Sequence, residues 1–139
     1  MSNTPSLFLF LSLLALPAVA ADTAKGAFDC DDPLQSAPLA IKKTLGDLYR
    51  IEPSKAQLDA ASADLKQLLS AASFCRIRSQ SPSAHADAQA KQALTREWLS
   101  LHMWINRIAD FVYLNAKGRN TVNWKDEYTE FASLYEFEA

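Results

Sequence analysis

Glycine, histidine, cysteine and methionine are all scarce in this chain, with three, two, two and two copies among 139 residues. So few glycines, with no alternation of apolar and polar residues, leave little to build a hairpin-rich β fold. Two histidines, and no serine in a nucleophile-elbow context, give no basis for a hydrolytic triad. The absence of CxxC and CxxCH removes a thioredoxin-like redox site and covalently held haem. Zinc would need further Cys or His ligands at short spacing, and the chain has none. Positive charge is not in excess either. Fourteen Lys and Arg against sixteen Asp and Glu leave a net charge of −2, so no nucleic-acid partner is expected, because phosphate binding needs a basic surface.

What is present begins with MSNTPSLFLFLSLLALPAVA. Its apolar stretch from Leu7 to Leu16, followed by Pro17 and the small residues Ala18, Val19 and Ala20, reads as a secretory signal over residues 1–20. The n-region is atypical in having no Lys or Arg. Ser12 and Pro17 interrupt the run, which is shorter than the roughly 20 unbroken apolar residues of a membrane span. Sec-type cleavage near Ala20 would deliver residues 21–139 to the periplasm, or outside the cell, as a single helical domain with no membrane span.

In that oxidising setting two cysteines read first as one disulfide, Cys30 to Cys75. The rest of the chain places apolar residues three and four apart, which predicts an all-α, antiparallel four-helix bundle. A first helix over 33–50 starts after Asp31 or Asp32, carries Pro33 in its first turn, and has Leu34, Ile41, Leu45 and Leu48 as its inner stripe. Ser54 and Gln57 form a capping box for a second helix over 55–78, with Leu58, Ala61, Leu65, Leu68, Ala72 and Cys75 facing inward. The polar break SQSPSAH leads to a third helix over 84–117, with Ser83 as its cap and Gly118 as its terminator. A fourth, over 122–136, turns Trp124, Tyr128, Phe131 and Tyr135 inward. The first helix rises roughly 27 Å, and Cys75 lies roughly 30 Å up the second. A bridge to Cys30 would therefore tie the open ends of an antiparallel pair.

The stretch TREWLSLHMWINRIADFVYLN carries the residues most open to a functional reading. On a helical wheel Leu94, Trp98, Leu101, Ile105, Ile108 and Val112 share a narrow arc, the core seam. His102 lies about 60° from the seam and Met103 about 160° from it. The two cannot grip one metal, and neither a metal nor a cofactor is expected. Leu99, Met103 and Leu114 point away from the seam, with Arg107 between them. Such a mixture of apolar residues and arginine suits a partner-binding or homodimer surface, unless neighbouring helices cover it. The acidic group FDCDDP lacks the ligand spacing of a calcium loop and reads as helix capping beside the disulfide.

Charge is uneven along the chain. Residues 76–119 hold seven basic and three acidic groups, residues 120–139 one and five. Glu127 and Glu130 on the acidic fourth helix are candidates to meet a basic protein partner. FDCDD with the later Cys75 resembles the framework of periplasmic acid-stress chaperones of the HdeA type, which are small, exported and helical with one disulfide. The third and fourth helices have no counterpart in that resemblance, which implies a stress chaperone as an alternative function. A further alternative is a small-ligand-binding or chorismate-mutase-like helical enzyme, which would need Arg50, Arg96 and Arg107 to converge on one pocket, although their spacing does not place them there. The expectation is a non-enzymatic, exported protein-binding module, an inhibitor or immunity-type partner of an envelope enzyme or toxin.

Overall fold

The computed structural model of the chain describes residues 28–81, 87–119 and 121–139. The expected signal segment, Ser83 and His85 lie outside the described residues. Four helices follow one another: α1 (Pro33–Tyr49), α2 (Lys55–Ser79), α3 (Ala88–Ala116) and α4 (Trp124–Leu134). No strand occurs among the described residues. None of the helices among them is long and apolar enough to cross a membrane.

Three of the four helices start where a side chain takes up a free backbone N–H group. Ser54 and Gln57 form the full capping box before α2, as their spacing predicts. Asp87, with its carboxylate accepting from Gln89 N, caps α3, so the helix opens at Ala88 rather than near residue 84. Asn123 caps α4 in the same way through Lys125 N, two residues beyond the expected start. At α1 Asp32 holds the cap position without a side-chain bond, and Pro33 fills the first turn. The neighbouring Asp29 carboxylate accepts from Asp31 N, which gives the acidic cluster a local role in the turn.

Cross-helix contacts fix the directions. Ser79 meets Thr95 and Lys66 lies over the ring of Tyr113, so α2 and α3 run antiparallel. Arg107 pairs with Glu127 and Ser100 with Tyr135, so α3 and α4 do too. α3 touches all three other helices, most extensively α2. The long third helix is thus the central element.

The core follows the sequence stripes closely. On α2 the six residues from Leu58 to Cys75 named above are all buried, and on α3 Trp98, Leu101, Ile105, Ile108 and Val112 are fully enclosed. Leu94 is only partly covered, near the start of α3. Trp124, Tyr128 and Phe131 turn inward from α4, with Tyr135 half-buried. The expectation for Leu34 is corrected: it is 56 % exposed. It sits in the first turn of α1, where Pro33 and Ala37 rather than Leu34 face the core.

Cys30 and Cys75 are joined, with Cα atoms 5.0 Å apart, and no free cysteine remains among the described residues. The bridge links the segment before α1 to the last turns of α2. Around it, Trp98 Nε1 donates to the Cys30 carbonyl at 2.8 Å and its ring packs against Phe28 at 5.5 Å. One buried indole therefore joins the disulfide segment to α3.

Candidate interaction surface

Leu99 and Met103, one turn apart on α3, are 45 % and 63 % exposed. They form an uncovered apolar pair on a helix whose opposite side is buried. His102 is half-buried beside them and points elsewhere, as the wheel requires. Its imidazole is held below the ordinary value, first by burial and then by the nearby Arg76 guanidinium. Leu114 is half-buried, and its carbonyl accepts from Arg119 N where the helix ends at Gly118, whose φ is +78°. That 6→1 bond with a left-handed glycine is the termination expected from the sequence.

Arg107 and Glu127 are brought together. The guanidinium donates through Nε and Nη2 to both carboxylate oxygens, the second bond measuring 3.1 Å. It also lies over the rings of Trp104 and Phe111, at 5.9 and 5.7 Å. The Glu127 carboxylate, with Glu130 adding to it, raises the Arg107 pKa above its ordinary value. Glu127 is only 8 % exposed. The two residues offered as contacts for a partner are therefore spent first on each other, as a forked bond between α3 and α4. Glu130 is exposed on the outer side of α4. Of the six candidates, Leu99, Met103 and Glu130 keep open side chains, Arg107 is exposed but engaged, Leu114 is half-buried, and Glu127 is turned into the fold.

Sequence periodicity missed a second surface feature. Leu34 from α1 and Leu134 from α4, the latter 59 % exposed, flank a groove of about 470 Å³ that is also lined by Glu97, Ser100, Tyr135 and Glu136. Tyr135 forms its floor, with a hydroxyl 3.1 Å from Ser100 Oγ. Burial pushes the Tyr135 phenol up, the Ser100 bond opposes this, and the Glu97 carboxylate adds to it. Two carboxylates and no cation line the groove. The available signal was Leu134, an apolar residue outside the inward set of α4.

The far end of the bundle is held by Asn115. Its Oδ1 accepts from Trp124 N at 3.0 Å, and its Nδ2 donates to the carbonyls of Val122 and Arg119 at 2.7 and 2.8 Å. Beside it the Lys125 ammonium donates to the Ile51 carbonyl, joining the first turn of α4 to the α1–α2 connection. Comparison of the chain with known protein families, with curated proteins and with solved structures finds no match.

Proposed function

We propose that this chain is an exported protein-binding module, an inhibitor or immunity-type partner of an envelope enzyme or toxin, acting by contact rather than by catalysis. The observation that carries the reading is the open Leu99–Met103 pair on the solvent-facing side of the central helix. Methionine and leucine presented on a helix face offer apolar area to a partner from a backbone that is already ordered. Arg107 continues the strip one turn further, already oriented by Glu127 and by two aromatic rings. Export to the periplasm with cleavage near Ala20 fits the N-terminal sequence, and the buried disulfide is compatible with an oxidising compartment.

The test is affinity capture from a periplasmic extract at neutral pH and physiological salt, read by mass spectrometry. The wild type should retain one stoichiometric protein, and the Leu99→Ser/Met103→Ser variant should lose it. Capture of many unfolded clients only after acidification would point instead to an HdeA-like chaperone. A homodimer seen by light scattering and abolished by the same substitutions would make the strip a self-association surface.

A further inference from the structure

The groove between the first turn of α1, the middle of α3 and the end of α4 has a composition of its own. Leu34 and Leu134 stand on it with more than half of their surface open to solvent. The groove is lined by Glu97 and Glu136, and no Lys or Arg lines it. A leucine pair between carboxylates repels an acidic segment and leaves apolar surface for a chain that brings cations to its edges. The floor is firm, because Tyr135 is held by Ser100 through its hydroxyl and by Phe131 through a ring contact at 4.8 Å. Leu134 is anchored just before the turn in which Phe137 N donates to the Ala132 carbonyl, and Phe137 packs on Phe131 at 5.6 Å. The groove is thus shaped before anything enters it.

We infer that this groove receives a cationic amphipathic peptide segment of a partner protein, with apolar side chains seated against Leu34 and Leu134 and Lys or Arg side chains meeting Glu97 and Glu136. The inference rests on the protein-binding reading above and assigns to it a second contact surface, separate from Leu99 and Met103. Its occupant is chosen by charge complementarity: an acidic or purely apolar segment would bring no cation to the two carboxylates, and a second copy is an outcome that the test separates.

The probe is a short amphipathic helix built of lysine and leucine, titrated into the full chain by calorimetry and by amide NMR. Its partner in the experiment is the same peptide with glutamate in place of lysine. Saturable one-to-one binding of the lysine peptide is expected, with shifts centred on Leu34, Glu97, Leu134 and Glu136. Glu97→Gln/Glu136→Gln should weaken it about fivefold and remove most of its salt dependence. Leu34→Ser/Leu134→Ser, both at exposed positions, should weaken it at least about tenfold while leaving the circular dichroism spectrum unchanged. Equal binding of the glutamate peptide, shifts centred on Leu99 and Met103, or self-association of the chain through Leu34 and Leu134 would each overturn the inference. Repeating the periplasmic capture with the groove variants separates the two proposals. A partner retained undiminished by these variants sinks the groove and spares the binding function. A groove that binds the lysine peptide, with nothing captured by the wild type, sinks the envelope-partner reading alone.

Discussion

Tyr128 shows how one side chain is tuned by its surroundings. It is fully buried on α4, its ring lies between Tyr49 and Phe137, and its hydroxyl reaches the Ala139 carbonyl at 3.4 Å. Burial, and then the neighbouring Tyr49, push the phenol up to about 12, with Arg50 pulling weakly the other way. A raised pKa favours the neutral form, so the stability it contributes is complete below the ordinary phenol value of about 10 and is lost as pH climbs toward 12. Spectrophotometric titration should therefore resolve a step near pH 12, and Tyr128→Phe should erase it. The variant should also lose stability less steeply than the wild type over that window. A wild-type titration with no step near pH 12 that Tyr128→Phe removes would contradict the assignment.

At the scale of elements, connections are made by residues that no apolar period reveals. Asn115 satisfies two carbonyls and one N–H of the α3–α4 connection with a single amide. Asn115→Ala would strip these partners at once and should cost about 1–3 kcal/mol in urea unfolding. A cost below about 0.5 kcal/mol, the range of an ordinary surface substitution, would show that water replaces the amide. The helices themselves were readable in the sequence, because a stripe such as Leu58 to Cys75 needs only the helical period to be recognised. Ser54 with Gln57, and Gly118, were equally readable, since both caps are local chemistry. The end of α4 was not. It stops at Leu134 because Glu136 takes a positive φ of 59° and lets Phe137 turn back onto Phe131, a tertiary reward for a locally unfavourable backbone. Leu34 and Leu134 escaped for the related reason that each stands where its helix begins or ends, beyond the reach of the neighbour that would have covered it. Glu127 could be placed on the fourth helix from sequence, but not opposite Arg107, because that pairing depends on how α3 and α4 slide past one another.

Across the whole molecule the disulfide is the one covalent long-range tie, spanning 45 residues. Cross-linking a loop of that length restrains the unfolded chain by about 4 kcal/mol in the chain-entropy account, against a total stability of roughly 5–15 kcal/mol for a domain. The Cys30→Ala/Cys75→Ala variant should therefore unfold at markedly lower urea than the oxidised wild type, and dithiothreitol should bring the wild type close to the variant. A loss under about 1 kcal/mol would mean that Trp98 and the surrounding core hold α1 in place without the bond. The same tie also divides the protein mechanically. Tension applied between residue 28 and residue 139 passes from Cys30 straight to Cys75, so α1 and nearly all of α2 are bypassed and withhold about 160 Å of contour length at roughly 3.6 Å per residue. The load falls on α3 and α4, and the segment between the cysteines stays slack however far the chain is drawn.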